Sequence, residues 1–167
     1  QMCIRDSRSP GSPVGALVHG TTVAANTVLE RNGARTGLIT TRGFRDELEI
    51  RRLGRPGVYS VFWERSEPLI PRRRRVEVAG RLRVDGSEDA PLALDEVEAA
   101  VRRLQDEGIE ALAIAFLHAY ANPAHEKAAG EIARRLLPDI PVCTSAEVLP
   151  EVREYERSST TALNAYL

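Results

Sequence analysis

Ala111-Leu112-Ala113-Ile114-Ala115-Phe116-Leu117 is the stretch whose reading decides the fold. An unbroken apolar run of this length, with no polar alternate, is the mark of a strand covered on both faces. It is far too short to span a bilayer. Helical signals flank it at close range. On its N-terminal side, Leu94-Asp95 opens a segment through Gln105 in which Val97, Val101 and Leu104 recur at helical spacing, and Gly108 caps it. On its C-terminal side, Asn122 reads as an N-cap with Pro123 at the first helical position. Ile132, Leu136 and Leu137 line that second helix and Pro138 ends it. Pro141-Val142-Cys143-Thr144-Ser145 predicts another strand, and the chain from Pro150 onward predicts a helix. Strands and helices alternating at such short intervals predict an α/β fold with parallel strands.

The same alternation extends upstream. Ala16 to His19 and Thr36 to Thr41 read as strands, Val23 to Arg31 as a helix stopped by Asn32-Gly33, and Gly43 to Ile50 as a short helix. Leu53 to Pro71 is irregular and carries Tyr59, Phe62 and Trp63. Val76 to Val84 predicts a strand or hairpin ending at Asp85-Gly86. Between the first strand and helix stands His19-Gly20-Thr21-Thr22. A glycine lets a ligand approach the backbone, two threonines add hydroxyls, and the helix that follows presents N–H groups at its positive end. The stretch therefore reads either as a plain threonine cap or as an anion site.

Composition narrows the class. Of 167 residues 43% are apolar and 28% charged, ordinary for a globular chain, and the net charge of −1 gives no field toward nucleic acid or anionic membrane. Arg72-Arg73-Arg74-Arg75 is an isolated basic run without interleaved aromatics, so nucleic-acid binding is not expected. Cys3 and Cys143 have neither disulfide-framework nor zinc spacing. No phosphate-loop lysine motif, nucleophile elbow or His-Glu-x-x-His is present. No signal peptide or membrane span is visible, so a cytoplasmic protein is expected. Residues 1–13 are expected to be a non-native or disordered leader, and 14–167 a partial domain.

Two constellations carry candidate chemistry. His118, Tyr120, Asn122 and His125 follow the buried strand, where α/β proteins bind ligands. Glu147, Glu151, Arg153, Glu154, Tyr155, Glu156 and Arg157, followed by Ser158-Ser159-Thr160-Thr161, read as a solvated helix face or as an active-site wall.

Several blocks in one order carry a family resemblance. They are His19-Gly20-Thr21-Thr22-Val23-Ala24-Ala25-Asn26, Leu29-Glu30-Arg31, Gly33 through Thr41, Gly43-Phe44-Arg45-Asp46, Phe116-Leu117-His118, Asn122-Pro123-Ala124-His125-Glu126, and Glu147 through Arg157 to Asn164-Ala165-Tyr166. Together they resemble the N-terminal region of the hydantoinase A / 5-oxoprolinase family. The resemblance implies an incomplete α/β lobe of the actin-like ATPase (ribonuclease H-like) type, with a mixed or parallel sheet and flanking helices. It implies ATP with Mg2+ or another divalent metal, phosphorylation of a cyclic-amide oxygen, and ring opening by water, as for 5-oxoproline or a hydantoin. A companion B-type subunit or fused domain is implied as partner. A related ketone carboxylase subunit and a non-catalytic contact module are the alternatives. His19, Gly20, Thr21, Thr22, Asn26, Arg45 and Asp46 would line the nucleotide or substrate cleft, with His118 and Glu151 as catalytic candidates. The family's Asp-x-Gly-Gly-Thr loop and large C-terminal part do not appear in this sequence. Ala25 replaces a common threonine, and Arg51-Arg52 follow Ile50 where glycine is common. The piece is not expected to turn over alone.

Overall fold

The computed structural model describes residues 22–52, 54 and 67–167. The expected strand at Ala16 to His19, the residues His19, Gly20 and Thr21, the leader 1–13, and the aromatics Tyr59, Phe62 and Trp63 lie outside the described residues. The elements are α1 (Val23–Glu30), β1 (Thr36–Thr41), α2 (Glu47–Ile50), a 3-10 turn (Arg72–Arg74), β2 (Arg75–Val78), β3 (Arg81–Leu82) and β4 (Glu88–Ala90). They continue with α3 (Leu94–Asp106), β5 (Ala111–Ala115), α4 (Ala124–Leu136), β6 (Val142–Thr144), α5 (Ser145–Val148) and α6 (Glu154–Tyr166).

β5 is the decisive strand, as its apolar run predicts. It lies inside a four-stranded sheet of order β2-β1-β5-β6, parallel throughout. Its residues alternate in size, and the alternation sorts two layers of helix. Leu112, Ile114 and Phe116 face one side with Ile39, against Val97, Val101 and Leu104 of α3 and Ala129, Ile132 and Ala133 of α4. Ala111, Ala113 and Ala115 face the other with Leu38, against Leu48 of α2 and Ala162 and Ala165 of α6. The alanine face lets α6 settle close to the sheet. At its far end α6 meets Gly33, where a Cβ would stand 2.5 Å from the Tyr166 carbonyl oxygen. The Ala34 N–H donates to that same oxygen at 2.9 Å.

The structure departs from the sequence reading at several boundaries. The expected strand or hairpin over Val76 to Val84 proves to be both, divided at Gly80, which adopts φ +147 beside the backbone of Leu92. β2 therefore joins the main sheet, while β3 and β4 form a separate hairpin around Asp85-Gly86. The first helix stops at Arg31 in the left-handed conformation, two residues before Gly33, whose smallness serves packing instead. Only Glu47–Ile50 of the expected Gly43 to Ile50 helix is helical, because Glu77 accepts the Gly43 and Arg45 N–H groups at 2.7 and 3.3 Å. Pro123, rather than Asn122, takes the N-cap position of α4, and Asn122 Oδ1 accepts from the Ala124 N–H at 3.0 Å. The strand at Pro141 to Ser145 ends at Thr144, where Glu147 accepts the Thr144 N–H at 3.4 Å and a short α5 begins. The last helix starts at Glu154, after Arg153 at φ +84, rather than at Pro150.

Candidate functional site

The sheet order fixes where a ligand crevice opens. The connection leaving β1 runs to β2 on one side, and the connection leaving β5 runs through α4 to β6 on the other. The chain diverges between the carboxyl ends of β1 and β5, the position at which open α/β sheets bind ligands. The Leu117 N–H donates to Thr41 Oγ1 at 3.0 Å and ties the two strand ends together. Three segments converge here: residues 42–47 after β1, 116–122 after β5, and the first turns of α6.

Beneath the crevice lies a charged group that is sealed from water. Glu126, on the inward stripe of α4, accepts from the Phe116 N–H at 2.7 Å, the Ser145 hydroxyl at 2.5 Å and the Ala146 N–H at 2.8 Å. Arg157 of α6 donates to Ser145 Oγ at 3.0 Å, the Phe116 carbonyl at 2.7 Å and the Glu151 carbonyl at 3.0 Å, and it pairs with Glu154. Burial pushes the Glu126 carboxyl upward, and its three donors with the nearby Arg157 charge oppose that push. The network pins α4, α5 and α6 to the end of β5.

Glu154 reaches from this network to His118. The His118 N–H approaches Glu154 Oε1 at 3.5 Å, and His118 Nδ1 lies 3.8 Å from the same oxygen, too far to hydrogen-bond. Nδ1 is buried without a partner, and the residue is held at φ +59. A non-glycine residue in that region costs free energy and clusters at functional sites. Its ring meets Tyr120 edge-on at 6.0 Å, and the Arg157 guanidinium stacks 5.5 Å from the Tyr120 centroid.

Glu47, at the start of α2, accepts from the Ser158 hydroxyl at 3.0 Å. Burial pushes its carboxyl up to about 7; the Ser158 hydrogen bond opposes this and the Glu154 charge adds to it. A carboxyl of this kind holds or releases a proton near neutral pH.

The other expected residues take separate places. Arg45 gives its carbonyl to Arg75 at 3.2 Å, and its buried Nε has no partner. Asp46 forms a two-pronged pair with Arg72 at 2.8 and 3.0 Å, which holds its carboxyl below the usual range. Thr22 stands at the N-cap of α1 without a side-chain cap bond, and no carboxylate occupies the first turn of that helix. Asn26 donates its backbone N–H to the Thr22 carbonyl at 2.9 Å, and its side chain is exposed. Glu151 is exposed and lines a shallow cleft of about 480 Å³ with Tyr120, Pro150, Val152, Arg153 and Glu156. His125 and Asn122 turn away from His118 toward the hairpin, meeting Glu88 at 2.8 Å and the Gly86 carbonyl at 2.9 Å. Among the described residues, no group of three or more His, Cys, Asp or Glu side chains is placed to hold a metal ion. Among them also, no helix is long and apolar enough to cross a membrane.

Sequence reasoning missed Glu47 and Ser145, carried Glu126 only inside a family block, and carried Arg157 only inside a charged run readable as a solvated face or an active-site wall. Glu126 falls in phase with buried Ala129 and Ala133, and Arg157 with buried Thr161 and Ala165. That spacing was the available sign that both side chains point inward.

Residues 2–137 match the family model described as hydantoinase/oxoprolinase N-terminal region. The chain is 41% identical to caprolactamase subunit alpha of Pseudomonas jessenii over 90% of its own length and 22% of that protein. It is 36% identical to the acetophenone carboxylase gamma subunit of Aromatoleum aromaticum, covering 92% of this chain and 23% of the relative. The crystal structure of the ATP-dependent caprolactamase from Pseudomonas jessenii superposes with a TM-score of 0.83 at 42% identity, covering 89% of this chain and 22% of that one. The chain thus spans less than a quarter of the length of these relatives.

Proposed function

The chain belongs to the hydantoinase/oxoprolinase family, and from that premise we propose that it forms part of an enzyme that uses ATP to open a cyclic amide. An amide carbonyl is a poor electrophile, and bound ATP would supply a phosphoryl group to its oxygen, which opens the carbonyl carbon to attack by water. The nitrogen released by ring opening needs a proton. Glu47 is the group we assign to deliver it, since burial raises this carboxyl to about 7, where it can hold and release a proton, at the point where the sheet's connections diverge. The similarity to the caprolactamase of Pseudomonas jessenii, in sequence and in fold, is the observation that carries the reading.

His118 and Glu151 are assigned to the same edge. His118 would orient or exchange a proton with substrate through its unpartnered Nδ1, and Glu151 would face substrate from the shallow cleft. His19, Gly20, Thr21 and Thr22 with Asn26 would form the anion-gripping entry to α1. The start of α1, with no side-chain cap bond from Thr22 and no first-turn carboxylate, supports a phosphate group there through the helix dipole. Arg45 would add a guanidinium to the cleft, with Asp46 and Arg72 fixing its loop. Mg2+ or another divalent metal would arrive with the nucleotide, held chiefly by its phosphates, since among the described residues no group of three or more His, Cys, Asp or Glu is placed to hold one. The relative's designation as a subunit supports a companion chain or domain as partner.

The test is ATP hydrolysis by the complete protein, with any companion subunit, against a panel of lactams and hydantoins. Amide-dependent phosphate release without added bicarbonate supports the hydrolase. A strict bicarbonate requirement with ketones would assign the carboxylase branch instead. Turnover that is intact in Glu47→Gln would remove that residue from the chemistry.

A further inference from the structure

The run Arg72-Arg73-Arg74-Arg75 is divided by the fold between two ends of the sheet. Arg72 is paired with Asp46, and buried Arg75 is held by the Ile70 and Arg45 carbonyls and by Glu49. Arg73 and Arg74 turn the other way. They line a cavity of about 320 Å³ with Arg31, Arg35, Glu67 and Tyr166, beside the amino end of β1. α6 runs from the crevice to this cavity, and its 13 residues put the two roughly 20 Å apart at about 1.5 Å rise per residue.

The charges around this cavity do not balance. Arg31 pairs with Glu67 at 3.4 Å, Arg35 with Glu110 at 3.0 Å, and Arg73 with Glu107 at 3.5 Å. Among the described residues, Arg74 makes no ion pair, and its buried Nε has no hydrogen-bond partner. Among the described residues, four guanidiniums thus stand against three carboxylates. Burial and the neighbouring Arg73 charge hold the Arg74 guanidinium below its ordinary value, as expected for a cation lacking its counter-charge. A half-buried donor left unsatisfied is costly, and a guanidinium fork matches the oxygens of phosphate or carboxylate. The side chains of Glu67 and Glu110 are 88% and 51% exposed, so water can solvate their carboxylates when a bound anion competes for the guanidiniums, Glu110 keeping the Arg35 N–H at 2.9 Å. The Tyr166 carbonyl at the cavity wall, which disfavours an anion, is already occupied by the Ala34 N–H.

We propose that this cavity is a binding site for a small oxyanion, a phosphate or carboxylate group, gripped by Arg74 with support from Arg35, and separate from the catalytic edge. The test uses the complete protein with inorganic phosphate and, in parallel, acetate as probes, against chloride at matched ionic strength. Thermal midpoint and calorimetric titration are the readouts. Saturable binding of either probe should occur in the unmodified protein and in Arg83→Gln, which alters an exposed pair on the hairpin. Arg74→Gln and Arg35→Gln should each weaken it at least tenfold. The site is refuted by an unmodified protein that responds to neither anion, or by Arg74→Gln and Arg35→Gln binding as tightly as the parent. Phosphate held only at the catalytic edge gives the latter result, which keeps the two sites distinguishable.

Discussion

Arg157 Nε donates to the Ser145 hydroxyl at 3.0 Å while that hydroxyl donates to Glu126 at 2.5 Å, so one serine links two buried opposite charges. Neither side chain touches solvent; Glu126 also accepts from the Phe116 and Ala146 N–H groups, and Arg157 also donates to the Phe116 and Glu151 carbonyls and pairs with Glu154. Removing Arg157 leaves Glu126 without its nearby positive charge and Glu154 without its arginine. Arg157→Met is expected to lower unfolding free energy by about 3–5 kcal/mol, the usual consequence of leaving a buried charge unpaired. Replacing both, as in Glu126→Leu with Arg157→Met, should recover part of that loss, giving a positive coupling in a double-mutant cycle. Urea denaturation of the four proteins measures it. Strict additivity would mean the two charges do not sense each other.

Glu47 makes stability depend on pH in a defined direction. Its carboxyl is raised from 4.5 to about 7, so between those values the folded chain holds a proton that the unfolded chain has released. The stabilising contribution is complete below pH 4.5 and is lost as pH rises to about 7. Glu47→Gln keeps a neutral side chain at every pH. Its advantage over the parent should be near zero at pH 4.5, grow up to pH 7, and then level off at about 1–3 kcal/mol, taking each pKa unit as about 1.4 kcal/mol and discounting for partial exposure. Denaturant midpoints at pH 5 and pH 8 for both proteins decide the matter. A pH-independent difference would mean that the folded protein does not hold the Glu47 proton.

How much of this was legible from the residues depends on the kind of signal. The order of strands and helices was readable because each carries its own periodicity, and Ala111 to Leu117 announced a strand covered on both faces. Boundaries were set by events far away in the chain. Glu77 shortened α2 by capturing the loop amides, and Leu92 backs the kink at Gly80. The candidate site was half legible. The family blocks pointed to His118 and to the loop at Arg45-Asp46, and the strand-end rule pointed to the same edge. Glu47 was passed over because its environment is built by Ser158 and Glu154, more than a hundred residues on. Arg157 stands in a run that reads either as a solvated face or as an active-site wall, since dense charge in sequence does not reveal which member points inward.

Gly33 tests the docking of α6. A Cβ there would stand 2.4 Å from a Tyr166 ring carbon and 2.5 Å from the Tyr166 backbone oxygen, and the backbone cannot rotate aside as a side chain can. Gly33→Ala is therefore expected to destabilise by about 1–3 kcal/mol, as overpacking does. The loss should appear as a lowered thermal midpoint together with faster hydrogen exchange in the last turn of α6. A midpoint equal to the parent's would show that Tyr166 does not sit against Gly33.

His118 separates strain from catalysis. The residue sits at φ +59, so His118→Gly relieves a backbone cost of about 1–2 kcal/mol, offset by about 0.5–1 kcal/mol of added freedom in the unfolded chain. Stability should stay level or rise slightly. If the ring handles a proton in the reaction, kcat of the complete protein should fall by about 100-fold or more. Glu151→Gln offers the parallel case: an exposed side chain whose loss should move stability by no more than about 0.5 kcal/mol, with any change concentrated in turnover. Steady-state kinetics set beside unfolding curves for both variants provide the check. Retained turnover in His118→Gly would reduce the histidine to a strained bystander, and the same result in Glu151→Gln would leave that carboxylate with no part in the chemistry.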